Sequence, residues 1–443
     1  MIDLHNIDYS TSSNKISNLD FDNLFPAGLV YAPPARGVWN IVHIGFLMPE
    51  SHEIFVCAEG CIRGVVLTAH EAGFESRFST VVIQERNVID GDMEYQIIDG
   101  VSDVLNRLEK KPKAVEVYTS CIHYFCGCDL DFVYRKLREK FPHIYFSDCY
   151  MTPITRKSGI TPDEKMRRQL YSLINDENKD VSDNSITMVA NVYALDETSD
   201  FRQILKKANV NYRDITLSKT WQDYQDLGKS KCFAYTNLAA EKACKTLSSR
   251  LEKKSYYYPI CYRKEDIRKN NKQLCELVNL KSFDTEVIEN EIDILIEEVK
   301  VLLKDFSIVL DYTATARVLN LTRFFIELGL NVKKVYLDSV NNSDREDFIY
   351  LKENCENLIL SSPTHPAARF LHNKENSSEK ILAIGQKCAY FEGTSNFVNL
   401  VEGNSYCGFD GLKKLLIDII DAINNKKDVS SIIQVKGWGC NCG

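Results

Sequence analysis

The sequence has no run of 18 apolar residues, so it offers no helix able to cross a bilayer. Its opening stretch, MIDLHNIDYSTSSNK, is polar and acidic and lacks the apolar segment of a secretory signal. No GxxxxGK(S/T) loop is present, since GQKCAY has the wrong spacing, and no GxGxxG follows a strand-like run. The chain therefore has no phosphate loop of either kind, and any nucleotide-driven chemistry has to draw its nucleotide from another protein. No GxSxG elbow organises serine, histidine and aspartate into a hydrolytic triad. Solenoid-period repeats and low-complexity tracts are also missing. Positive charge is in deficit, with 54 Lys and Arg against 62 Asp and Glu and a net charge of −8, which argues against nucleic acid and anionic membrane as partners.

Cysteine, by contrast, is abundant. Fifteen cysteines are scattered, odd in number and without the regular spacing of a small disulfide scaffold. At 443 residues the chain buries ample core without staples. The expectation is a cytoplasmic protein in a reducing compartment, its thiols either metal ligands or core side chains.

Apolar runs alternate with helical patterns almost to the end, which is the signature of α/β architecture with parallel sheets. Three such blocks are predicted, at 1–180, 181–304 and 305–443. The first holds strand candidates NIVHIGF (Asn40–Phe46), STVVIQ (Ser79–Gln84), AVEVY (Ala114–Tyr118) and HIYFSD (His143–Asp148). It closes with a helix opened by TPDEK, where Thr161 caps, Pro162 takes the first position and Glu164 completes a capping box. The polar run from Asn175 to Ser185 reads as a linker. The second block carries ITMVANVY, helix DFRQILKKANV, CFAYTN and SYYYPICY, and ends in an amphipathic helix over Thr285–Lys304 whose stripe from Ile288 to Leu302 reads as core. In the third, SIVLDY, helix ATARVLNLTRFFIEL, Gly329 as a C-cap and VKKVYLD make one βαβ unit. Strands NLILSS and KILAIG and a last helix, GLKKLLIDIIDAINN, follow. The loop SSPTHPAARF reads either as an anion-binding loop or as an ordinary turn.

Cys57 and Cys61, in VCAEGCIRG, are four apart. If that segment starts a helix, both thiols share a face and Cys57 sits near the N-terminal end, where the helix dipole favours a thiolate. Cys121, Cys126 and Cys128 follow a strand in TSCIHYFCGCDL. Thiolates on two strand-to-helix loops at one end of a parallel sheet can meet, and soft sulfur ligands select iron–sulfur clusters or zinc. Neither group has the CxxC spacing of structural zinc. On spacing alone a cluster and inert buried cysteines fit equally well, while Cys126, Cys128 and Cys149 taken singly read as structural, with a supporting or additional-ligand role as the alternative.

These motifs carry a resemblance. SHEIFVC (Ser51–Cys57) resembles the ISHGPVGC segment of nitrogenase component 1 proteins, matching Ser, His and a cluster-ligand Cys. TSCIHYFCGCDL resembles their ECPxGLIGDDI, matching Cys121 to a second ligand and Gly127 and Asp129 to its glycine and aspartate. CFAYTN is similar to the CYRSMN of their α subunits, whose cysteine holds the active-site cofactor, and it falls on Cys232. SYCGFDGL is similar to PYHGFDGF, with Cys407 where histidine stands, and TRFFIELGLNV resembles a unit of the last domain.

The resemblance implies three Rossmann-like domains with mostly parallel four- to five-stranded sheets flanked by helices, and a metal cluster at a subunit interface. It also implies a reductase component whose 4Fe-4S cluster on Cys57 and Cys121 takes electrons from an ATP-dependent iron protein, with a second metallocluster or substrate near Cys232 and Cys407. The paired subunit is a second copy or a different component 1-type chain. The departures are specific. A further family cysteine upstream finds only VYAPPARG, around Tyr31 and Ala32; either Cys61 replaces it, or a homodimer pools two cysteines from each chain. The molybdenum-ligand histidine has no counterpart at Val398, so nitrogen fixation is not expected. A metallocluster assembly scaffold and a zinc-stabilised or metal-free binding protein are the alternatives. Cys440 and Cys442, in the tail GWGCNCG, read as a metal-transfer element or a disordered end.

Overall fold

The computed structural model of the protein describes residues 12–25, 28–35, 37, 40–151, 160–371 and 379–433. The GWGCNCG tail, with Cys440 and Cys442, lies outside them. The chain is α/β, its sheets Rossmann-like and flanked by helices as expected. It separates into two compact units. One comprises Trp39–Ala194 and Asn209–Pro259, the other Met1–Val38, Leu195–Ala208 and Ile260–Gly443.

The first strand of the chain, β1 (Ser13–Lys15), belongs to the last sheet. In the Trp39–Pro259 unit, β2 (Ser51–Ala58), β3 (Phe78–Ile83), β4 (Ala114–Ser120) and β5 (Tyr145–Met151) form a parallel sheet in the order β3-β2-β4-β5. The first crossover runs outward from β2 to β3, and the next returns past β2 to β4. Loops leaving the C-terminal ends of β2 and β4 thus diverge to opposite faces, opening the crevice in which such sheets bind ligands. All seven residues of β4 and the first seven of β2 are buried, as befits strands covered on both faces.

Two segments fold differently from the expectation. NIVHIGF is a short helix, Ile41–Gly45, because the Asn40 side chain accepts from the backbone N–H groups of Val42 (3.0 Å) and His43 (3.3 Å) and so caps it. The strand is instead SHEIFVCA, which His52 and Glu53 disguise.

The same unit holds a second parallel sheet of β6 (Asp183–Met188), β7 (Asn211–Asp214), β8 (Ser230–Tyr235) and β9 (Lys254–Tyr257), in the order β7-β6-β8-β9. The helix Pro162–Gln169 joins the two sheets, packing on β5 and on the helix Glu241–Arg250. It starts as expected: Glu164 N–H donates to Thr161 Oγ1, and Thr161 N–H donates to Glu164 Oε2. Phe55, Tyr118, Met166, Tyr171, Phe233 and Leu247 meet in the shared core.

In the other unit, β10 (Phe306–Asp311), β11 (Val332–Tyr336), β12 (Ile359–Ser361), β13 (Lys380–Ile384) and β14 (Phe397–Val398) form a parallel sheet that β1 extends antiparallel against β12. The order β1-β12-β11-β10-β13-β14 makes six strands, one more than the expected range, because the N-terminal arm supplies the edge. The helix Glu286–Leu302 buries Ile292, Ile296 and Val299 in this core, and Gly329 ends the helix Val318–Glu327 at φ +80°. The helix Asp200–Lys207 belongs here too: Asp200 accepts from Asn271 Nδ2 at 2.5 Å and from Asp410 N–H at 3.2 Å. No helix among the described residues is long and apolar enough to cross a membrane.

Candidate metal-binding thiol site

Cys57 is the seventh residue of β2, and Cys121 opens the helix Cys121–Phe125 directly after β4. Val56 pairs with Thr119 in the ladder, so Cys57 is level with Ser120. Both cysteines thus come to the C-terminal edge of the sheet, on the two strands that flank its crevice.

Their surroundings differ. Cys57 lies on β2, one residue before Ala58, the N-cap of the helix Glu59–Glu71, and so stands ahead of that helix and not on its first turn. Its side chain is buried in the core shared with Val42, Phe55, Tyr118 and Cys149. That burial, with Cys61 nearby adding to it, pushes the thiol up to about 12. Cys61 is the third residue of the helix Glu59–Glu71 and is exposed. Cys121 is half-buried and Cys126 is exposed. Burial and the neighbouring Glu94 raise the half-buried Cys128 to about 12.

The loop after β4 is held from within. Ser120 N–H donates to His123 Nδ1 at 3.1 Å, the ring is buried, and burial lowers its pKa. With Nδ1 accepting, the neutral ring carries its proton on Nε2, which has no partner. Asp129, set by Glu94 accepting from its N–H at 2.8 Å, caps the helix Leu130–Lys140 by accepting from Phe132 N–H at 2.9 Å. Tyr124 and Phe125, beside Cys126, are 73 % and 67 % exposed.

Among the described residues no three His, Cys, Asp or Glu side chains converge to hold a metal ion. The accessible thiols of the edge are Cys61, Cys121 and Cys126, and one chain does not close a four-thiolate shell. None of the thirteen described cysteines is in a disulfide.

Cys232 is the third residue of β8, three short of its C-terminal end, and burial raises its thiol to about 11. In the other unit Cys407 is the buried N-cap residue of the helix Gly408–Asn424, and Val398 ends β14 inside the core. SSPTHPAARF is a self-closed loop. Asp338 accepts from Ser362 Oγ (2.5 Å) and Thr364 Oγ1 (2.8 Å), while the N–H groups of His365 and Ala367 donate to Ser362 Oγ and His365 Nδ1. Those amides are therefore taken, and the turn reading fits.

The sequence reading passed over His123 and the buried acids Glu53 and Glu116. The one signal for the acids was an ionisable residue at the centre of an apolar run, SHEIF in β2 and AVEVY in β4.

A family model described as Nitrogenase component 1 type Oxidoreductase matches residues 45–424. Solved structures are similar too, among them two nitrogenase chains. "Nitrogenase Cp1 at pH 6.5" has a TM-score of 0.68 at 14 % identity, with 91 % of this chain and 95 % of that one covered. "Nitrogenase Cp1 at pH 5" has a TM-score of 0.56 at 13 % identity, with 94 % of each chain covered. At such identities the likeness is one of fold. Among curated proteins there is no match.

Proposed function

Because the chain belongs to the nitrogenase component 1 type oxidoreductase family, we propose that it is the electron-accepting component of a nitrogenase-like reductase, with one 4Fe-4S cluster held between two subunits. The observation that carries this reading is the placement of Cys61 and Cys121 just beyond the C-terminal ends of β2 and β4, on either side of the crevice where the sheet order turns. Two thiols from each of two chains make a four-thiolate shell. Cys57, set beside Cys121 as a ligand on sequence grounds, is assigned to packing beneath them because its side chain is buried in the core under the sheet's edge.

When bound, such a cluster supplies one-electron redox chemistry. The residues of this chain support it from below. Phe55 and Tyr118 stack at 4.0 Å in the core beneath the edge, and the Ser120–His123 contact fixes the turn that presents Cys121. The exposed Tyr124 and Phe125 provide an apolar surface for a second component 1-type subunit. An ATP-dependent iron protein is the proposed electron donor, consistent with a chain that has no phosphate loop of its own. The three-domain division at 1–180, 181–304 and 305–443, a cytoplasmic setting, and a second metallocluster or substrate near Cys232 or Cys407 belong to the same proposal. The substrate is not specified by these residues. The exposure of Cys61 and Cys126 favours one other reading, a scaffold that assembles a cluster and hands it on.

Alanine at Cys61 and at Cys121 tests the assignment, with iron content read beside circular dichroism. Each substitution is expected to remove the iron and leave the fold, whereas Cys57→Ala keeps the iron. Full iron in Cys61→Ala or Cys121→Ala overturns the ligand assignment, and transfer of the whole cluster to an acceptor protein selects the scaffold.

A further inference from the structure

Within the β3-β2-β4-β5 sheet two acids lie side by side with almost nothing to receive them. Glu53 and Glu116 are direct neighbours across β2 and β4, and both are fully buried. Both oxygens of Glu53 and Oε1 of Glu116 have no hydrogen-bond partner. Glu116 Oε2 lies 3.4 Å from Ser51 Oγ, but that hydroxyl has a single proton and sits 2.8 Å from the Met48 carbonyl oxygen. Gly45 closes the space against them: a methyl there would come within 2.2 Å of both Glu53 Oε1 and Tyr118 Oη.

The charged and titratable groups around the pair are Arg77 in the turn just before β3, Tyr118 on β4, Cys149 on β5 and Tyr224 on the helix Trp221–Asp226. Tyr118, Cys149 and Tyr224 stay neutral, each pushed up chiefly by burial. Arg167, on the helix Pro162–Gln169, is engaged by Asp163 and the Ala190 carbonyl. Arg77 donates to the carbonyl oxygens of Phe46, Met48 and Ser51 and to Ser51 Oγ, between the rings of Phe46 and Phe74 at 5.5 Å each. One guanidinium, half-buried and reaching Glu116 through Ser51 Oγ, thus faces two carboxyls. Two carboxylates would leave a buried charge uncompensated, among the costliest states a fold can carry, whereas two neutral acids would leave Arg77 unbalanced.

We propose that Glu53 and Glu116 form a one-proton site: at neutral pH the folded protein holds a single proton on the pair, leaving one carboxylic acid and one carboxylate with Arg77 as its counter-charge. Burial raises both carboxyls, the neighbouring acid raises Glu53 further, and the positive charge of Arg77 draws the pair back towards one carboxylate. The pair titrates as a unit.

The sign of the linkage follows. A carboxyl raised in the folded state keeps a proton that the unfolded chain releases, so its stabilisation is complete below the unfolded value of 4.5 and is lost as pH rises through the raised value of the folded pair. Each of Glu53→Gln and Glu116→Gln fixes one neutral group beside one carboxylate. Urea unfolding from about pH 5 to about pH 8 should show the wild-type folding constant falling about tenfold per pH unit more steeply than that of either variant. The double Gln variant, with Arg77 unbalanced, should be the least stable of the set at neutral pH. Infrared spectra of the folded wild type at neutral pH should contain a protonated-carboxyl band that disappears in Glu53→Gln, a readout independent of how the variants unfold. Parallel pH slopes in wild type and variants, or no protonated-carboxyl band in the wild type, would overturn the proposal.

Discussion

At Gly45 a methyl group is the difference between a filled core and an overfilled one. Gly45→Ala drives its Cβ against Glu53 and Tyr118, neither of which has room to retreat, and should destabilise the unit by about 1–3 kcal/mol in urea unfolding. Cys57 is a buried residue of the same core, so Cys57→Ala should cost about 1 kcal/mol, while exposed Cys61→Ala should cost almost nothing in the metal-free protein. Equal costs would show that the two cysteines do not divide between packing and surface as described. At this scale sequence was a partial guide. Cys121 was legible because AVEVY announces a strand and the thiol follows at its end. Cys57 and Cys61 were not separable, since which of two cysteines four apart lies on the strand depends on where β2 stops, and nothing in VCAEGC marks that point.

Elements are anchored by a few polar contacts whose loss can be measured. Thr161→Ala removes the cap that satisfies Glu164 N–H and should cost about 1 kcal/mol. Asp311, fully buried at the end of β10, accepts from Thr313 N–H and Cys388 N–H at 2.8 Å each and so ties β10 to the start of the helix Gln386–Glu392. Asp311→Ala leaves both amides buried without partners, and thermal or urea unfolding should register a loss of roughly 3 kcal/mol. Capped helices such as Pro162–Gln169 were readable because Thr, Pro and Glu stand at fixed offsets, and Gly329 was readable because helices end on a left-handed residue. NIVHIGF was not. A short apolar run has no period of its own, and Asn40 decided it for the helix through two hydrogen bonds that only the folded geometry reveals.

On the scale of the whole molecule, alternation of apolar runs and helical patterns was enough to indicate α/β blocks with parallel sheets. Long-range placement was not legible: β1 pairs with β12 from the far end of the chain, and Leu195–Ala208 leaves the sheet it connects to pack in the other unit. The thiol site shares this character, since the sequence offers fifteen cysteines but the sheet order brings only a few to one crevice. One measurement tests the central claim most directly: iron and acid-labile sulfide per chain in protein purified without oxygen, for the wild type and for Cys121→Ala. A cluster shared between two subunits gives about two irons and two sulfides per chain in the wild type and none in the variant. Folded wild-type protein without iron, or a variant with its iron intact, would contradict it.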